Sequence, residues 1–200
     1  MILNAIRNVD LIGKFYASNL GKKWIDKKLR NVLPYLNTTE QLIDIGSGNG
    51  MITHTLRQKG FSCTPMDVAD LSILPDVEVV VYDGLNMPFE DQHFDTALLL
   101  TVLHHTPDPI PVLKETARIA KKIVIIEDVY TNIIQQYMTY GMDTLVNLGH
   151  SSMTYQNKSD QEWKQAFKEL GFSLEQESSQ SILFFFRQAT YVLSTNYQSS

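Results

Sequence analysis

Apolar residues recur in two rhythms along the chain, one near 3.6 residues and one in short unbroken runs. In KKWIDKKLRNVLPYL, Ile25, Leu29, Val32 and Leu36 return at helical spacing with Trp24 beside them. The segment predicts a helix that Pro34 ends or bends. QLIDI, at 41–45, then reads as a buried strand, and MITHTLRQK as a helix stopped by Gly60. FSCTPMD, VEVVVYD and FDTALLL predict a second, third and fourth strand. DPIPVLKETARIA predicts a helix with Asp108 at the N-cap and Pro109 in the first helical position. KKIVIIED is a fifth strand. Residues 131–149 begin as a helical pattern and become mixed. SDQEWKQAFKEL is a helix opened by a Ser159–Glu162 capping box and closed by Gly171, and FSLEQES and ATYVLS read as two last strands.

Strands that alternate with helices and are apolar throughout predict an α/β fold with a mostly parallel sheet covered on both faces. Right-handed crossovers place the carboxyl ends of such strands along one edge, where ligands bind. Residues that follow the strands therefore carry the functional information.

Composition changes this picture little. The chain has 200 residues, 44% of them hydrophobic, enough for one domain with a substantial core. Its net charge of −5 argues against nucleic acid, which calls for a basic field. A local basic cluster, Lys22, Lys23, Lys27, Lys28 and Arg30, reads as a solvated helix face. One cysteine, Cys63, excludes an intrachain disulfide and sits in a strand-like run as a small buried hydrophobe. MILNAIRNVD has no signal-peptide core, and SILFFF is too short to span a bilayer, so the chain reads as soluble and cytoplasmic. No histidine or cysteine cluster has metal-ligand spacing, and no metal is expected.

The first strand runs straight into glycines at alternate positions, Gly46, Gly48 and Gly50. Without Cβ atoms, such a turn lets a ligand approach the backbone closely. It also serves as a tight turn with no ligand. The spacing differs from the dinucleotide fingerprint G-x-G-x-x-G, whose third glycine would fall at Met51. Acids close three successive strands: Asp44, Asp67 and Asp83, the last followed by Gly84. An acid at the end of the second strand suits the two hydroxyls of a ribose, and an acid with an exposed amide suits an adenine edge. Any one of them alone reads equally as a turn-former or cap. Acids without a basic partner favour a nucleoside lacking a pyrophosphate.

LIDIGSGNG, MDVAD, YDGLNMPFEDQHFDTALLLTVLHHTPDP and VLKETARIAKKIVIIED together resemble the class I S-adenosylmethionine-dependent methyltransferases, in particular the small-molecule group that includes ubiquinone-pathway enzymes (methyltransferase type 11). The resemblance covers residues 42 to about 128. It implies a Rossmann-like seven-stranded sheet with an antiparallel last strand, and S-adenosylmethionine as cofactor. Asp44, Gly46, Ser47 and Gly48 would hold the methionine part. Asp67, with Val68 beside it, would take the ribose. Asp83 and Gly84 would face the adenine, and Leu85 would pack on its ring or in the core. Thr101, Val102 and His104 would lie near the sulfonium. One domain is implied, with a helical lid over 1–37, a cofactor core over 38–130, a variable lid and substrate segment over 131–158, and a helix and strands over 159–200. The turn before the fifth strand departs from the family, with AKK in place of Pro-Gly-Gly.

Methyl transfer is an in-line displacement in which positioning is dominant. A base is needed only where the nucleophile starts protonated. His104 and His105 are the candidate catalytic pair, with Glu127 and Asp128 as further candidate bases; packing against the cofactor and a backbone hydrogen bond explain the histidines equally well. His150 reads as a group within reach of substrate. Lid aromatics and methionines, Phe15, Tyr16, Trp24, Tyr130, Tyr137 and Met153 among them, suit either helix packing or a pocket for a small molecule with a hydrophobic body. Two rival readings remain. A non-catalytic binding or scaffold domain would have no need of Asp67 and Asp83, and an NAD enzyme conflicts with Met51.

Overall fold

The computed structural model describes residues 19–130, 158–182 and 186–196. Residues 1–18 and 131–157 of the expected lids, with Phe15, Tyr16, Tyr137, His150 and Met153, lie outside the described residues. The chain divides into two compact units, Met1–Tyr82 and Asp83–Ser200.

The first unit opens with helix α1, Asn19–Arg30, and a short 3-10 turn at Leu33–Tyr35 that contains Pro34. Proline ends the helix as expected, because it has no N–H to continue the ladder. Ile25, Leu29 and Val32 are buried, whereas Trp24 is exposed. Strand β1 is Gln41–Ile45, helix α2 is Met51–Gln58 and strand β2 is Ser62–Asp67. Four consecutive residues of β1 are buried, as in a strand covered on both faces. Cys63 is buried, and burial pushes its thiol pKa up.

The third strand is shorter than its apolar run predicts. Strand β3 is only Val80–Val81, paired with Met66 and Asp67 of β2. Asp67 accepts from Tyr82 N–H across that ladder at 3.1 Å. Two residues back, on the same side of β2, stands Pro65, which has no N–H to offer a longer partner. The strands of this unit are parallel, in the order β3-β2-β1.

The second unit contains strand β4 (Phe94–Leu100), a 3-10 turn at Leu103–His105, helix α3 (Pro109–Ile119), strand β5 (Ala120–Val129), helix α4 (Asp160–Glu169), strand β6 (Ser173–Ile182) and strand β7 (Phe186–Ser194). Their order is β4-β5-β7-β6; β4 and β5 are parallel, and β7 is antiparallel to both its neighbours. With three strands in one unit and four in the other, the described residues supply the seven that the resemblance implies, including the antiparallel last strand. Asp108 caps α3 by accepting from Ile110 N–H, and Ser159 and Glu162 form the expected capping box. Both terminal strands are longer than their sequence rhythm suggests. Polar SLEQESSQSI forms an edge strand, where water tolerates such residues.

Helix α3 runs directly into β5 with no glycine between them. Gln92, itself at φ 54°, takes over the capping: its backbone N–H donates to Arg118 O, and its side-chain amide to Ala117 O and Arg118 O. Arg118 secures the same segment from the other direction. Its guanidinium donates to Met87 O, Phe89 O, Asp91 and both oxygens of Glu115. Hydrogen bonds to Arg118, the largest cause, hold the Glu115 carboxyl below its ordinary range.

Arg118→Ala leaves two carbonyls and two carboxylates without their donor. The expected loss is about 2 kcal/mol in urea unfolding, with faster amide hydrogen exchange confined to residues 87–92. A loss below about 0.5 kcal/mol, the range of an ordinary surface change, would show that the loop holds without this guanidinium.

Candidate active site

In the first unit the site is built on the turn after β1. Gly46, Gly48 and Gly50 all have positive φ, at 74°, 51° and 78°. Each occupies the left-handed region that costs other residues energy. Gly50 has a packing reason as well, since a Cβ there would meet Val77 Cγ1 at 2.9 Å. A Cβ on Gly48 would meet nothing within 4 Å. Space is open against the turn at that point.

The turn is tied to the end of β2. Met66 O accepts from Gly46 N–H at 2.8 Å and from Ser47 N–H at 3.1 Å. Asp67 then accepts from Gly48 N–H through Oδ2 and from Val68 N–H through Oδ1, both at 2.7 Å. The amides of Gly46 and Gly48 are thus engaged within the protein. A carboxylate has about four acceptor positions, so Asp67 keeps capacity for two more donors. Ser47 Oγ is buried and has no hydrogen-bond partner.

Asp44 lies beneath the turn and is 2% exposed. Thr53, on α2, donates its hydroxyl to Asp44 Oδ2 at 2.7 Å. Burial raises the Asp44 pKa from 3.8 to about 6; Thr53 and the Lys28 charge pull it down, and Asp67 pushes it up. Two of the three predicted acids therefore interact. Thr53 did not stand out in the sequence, since no local motif marks it, and Lys28, read there with the basic cluster as part of a solvated helix face, is instead buried.

In the second unit, Asp83 is exposed and forms its own turn. Its carboxylate accepts from the backbone N–H groups of Leu85 and Asn86 and from the Asn86 side chain. Those bonds hold its pKa below the ordinary value, with Asn86 the largest cause. This is the turn-forming role. Gly84 has φ 89°, and Leu85 and Val68 are both exposed apolar side chains.

The loop after β4 is anchored to the end of β5. Thr101 is left-handed at φ 64°, and its N–H donates to Ile126 O at 2.7 Å. Glu127 is fully buried; its Oε1 accepts from Val102 N–H at 2.9 Å and Leu103 N–H at 2.7 Å, and its Oε2 meets His104 Nδ1 at 2.5 Å. His104 is buried, and exposed His105 lies 4.0 Å away between ring centroids. Asp128 bonds Gln188. His54 pairs with Asp76, and His93 packs between Phe89 and Phe94. No group of metal-ligating side chains occurs among the described residues, and no helix among them is long and apolar enough to cross a membrane.

A family model described as a methyltransferase domain matches residues 16–177. Demethylmenaquinone methyltransferase of Corynebacterium urealyticum is 29% identical over 120 residues, 58% of this chain and 51% of that protein. The chain thus spans about half the length of that curated relative. A tRNA U34 carboxymethyltransferase of Nautilia profundicola is 32% identical over 96 residues, 42% of this chain and 32% of that one. Magnesium protoporphyrin IX methyltransferase from Synechocystis PCC 6803, solved with bound SAH, superimposes with a TM-score of 0.65 at 13% identity, covering 97% of this chain and 94% of that one. That likeness shows the Rossmann-like fold, and the matched span, most of the sequence, shows the family: the chain belongs to the methyltransferase-domain proteins.

Proposed function

We propose that this protein binds S-adenosylmethionine and transfers its methyl group to a small molecule with an apolar body. The observation that carries the reading is the turn after β1. Open space lies at Gly48, Ser47 Oγ is orphaned, and Asp67 has acceptor capacity to spare. These features suit a ligand with several hydroxyls and a cationic group. The cofactor supplies an electrophilic methyl carried on a sulfonium.

Asp67 accepts the two ribose hydroxyls in this reading, and Ser47 Oγ gains a polar partner. Asp44 supplies negative charge toward the ammonium of the methionine part. In the second unit, half-buried Gly84 and the exposed Leu85 side chain are the groups this reading assigns to the adenine. Thr101, in the same unit, is the further cofactor-side candidate, and His104 and His105 are the candidate bases. Support for a small acceptor comes from the net charge of −5 and from the quinone and porphyrin substrates named for the relatives. A cytoplasmic, nucleic-acid-independent enzyme is the corresponding proposal for partners and location.

Calorimetric titration with S-adenosylhomocysteine tests the binding. Micromolar affinity is expected, weakened at least tenfold, about 1.4 kcal/mol, by Asp67→Ala, with no heat from NAD. Asp67→Asn, which keeps one acceptor for Gly48 N–H, separates ligand loss from a collapsed turn. A folded protein that binds no S-adenosylhomocysteine would favour the scaffold reading instead.

Asp44 gives a second test. Its pKa rises on folding from 3.8 to about 6, so the native state holds this proton more tightly. The associated stability is complete below about pH 4 and is lost as pH rises through 6. Above that, the ionised acid costs about 3 kcal/mol, roughly two pKa units. Asp44→Asn keeps an acceptor for Thr53 and removes the charge. The variant should be more stable than the parent in urea at pH 7.5, with the gap closing toward pH 4, and should bind S-adenosylhomocysteine at least tenfold more weakly. A variant that is both less stable at pH 7.5 and unimpaired in binding would refute the assignment.

A further inference from the structure

Glu127 stands out because it is a carboxyl group with no exposure on which two backbone N–H groups and a histidine ring nitrogen converge. Val102 N–H and Leu103 N–H meet Oε1, and His104 Nδ1 meets Oε2. Immediately before those donors, Thr101 is held in a left-handed conformation, which is strained for a β-branched residue. A strained threonine in the loop and a buried acid on the strand that anchors it are two departures from what stability alone favours. Such departures cluster where a side chain has to be aimed.

We propose that Glu127 is a positioning residue that makes His104 a base through Nε2. In this assignment Nδ1 donates the hydrogen of the Oε2 contact and the carboxyl oxygen accepts it. The neutral ring is then the Nδ1–H tautomer, with its lone pair on Nε2. When an acceptor's X–H bond breaks, its proton forms an N–H bond at Nε2 and the electron pair of X–H stays on X. Glu127, at 2.5 Å from the ring, stabilises the resulting imidazolium. The inference rests on the methyltransferase reading and narrows its acceptor. A base is of use only to a nucleophile that starts protonated, so the acceptor bears an ionisable hydroxyl or comparable X–H group.

Glu127→Gln tests the proposal without removing a hydrogen bond. The two backbone N–H groups need an acceptor, so the glutamine places Oε1 toward them and its NH2 toward His104. Nδ1 must then accept, and the ring hydrogen moves to Nε2. Long-range nitrogen–proton NMR of histidine-labelled protein, with His104 assigned through His104→Gln, should show Nδ1–H in the parent and Nε2–H in Glu127→Gln. A second readout is carbethoxylation of His104 by diethylpyrocarbonate, mapped by mass spectrometry, which requires an unprotonated and approachable Nε2. It should proceed in the parent and slow at least tenfold in Glu127→Gln, with an unchanged circular dichroism spectrum. An Nε2–H parent, an unchanged tautomer in the variant, or a His104 inert to the reagent in the parent would each overturn the proposal; the last is what a purely structural clamp predicts. S-Adenosylhomocysteine titration of the same samples reports separately on the methyltransferase reading. Failure there with the tautomer inversion intact would remove the reaction and leave the Glu127–His104 assignment standing.

Discussion

A parallel strand that ends must find acceptors for the backbone N–H groups of the loop that follows, and this requirement organises both units. Buried amides without partners cost more than most single interactions return. The two units meet the requirement in the same way. After β1, Met66 O accepts from Gly46 and Ser47, and the next residue, Asp67, accepts from Gly48. After β4, Ile126 O accepts from Thr101, and the next residue, Glu127, accepts from Val102 and Leu103. In each case a carbonyl at the end of the neighbouring strand is followed by an acid, and successive loop amides are taken in turn. The acid has the longer reach, so the loop can turn away from the sheet without losing its partners.

The turning residue is forced by that geometry. Gly46 and Thr101 each follow the last residue of their strand, each donates to the neighbouring strand's carbonyl, and each is left-handed, at φ 74° and 64°. Glycine adopts this conformation without a Cβ clash. Threonine pays a strain of about 1 kcal/mol or more. The loop after β4 therefore stores strain that the loop after β1 avoids, and it relies more heavily on its acid to hold it in place.

Local chemistry was legible in the sequence, and long-range chemistry was not. Three glycines at alternate positions predicted a turn, and each adopts the positive φ that only glycine takes without strain. Asp108 with Pro109, and Ser159 with Glu162, announced their helices because capping lies within four residues. The third strand was misjudged in length because its limit is set by Pro65, on another strand. Asp83 satisfied the spacing for a ligand-facing acid, and its carboxylate accepts three hydrogen bonds from Leu85 and Asn86 of its own turn. Side-chain reach within the turn sets those bonds, and strand-end spacing does not report them. Glu127 was visible as an acid closing a strand, but its partners lie 23 to 25 residues away. Only the β4–β5 register brings them to it.

Two buried acids, Asp44 and Glu127, thus have different roles, and their hydrogen bonds tell them apart. Glu127 accepts from two backbone N–H groups and meets the His104 ring, all on a single loop, which compensates much of the cost of burying a polar group. These three partners come from within the protein, as suits a residue whose task is to hold other groups. Asp44 receives donors from Thr53 alone among the described residues, and burial still raises its pKa to about 6. Its charge is under-compensated at neutral pH, in a site where the neighbouring Ser47 hydroxyl also lacks a partner. Within the fold the Thr53 hydroxyl and the Lys28 charge offset only part of that cost. In the proposed reading a cationic ligand would offset more of it, because its arrival would stabilise the carboxylate.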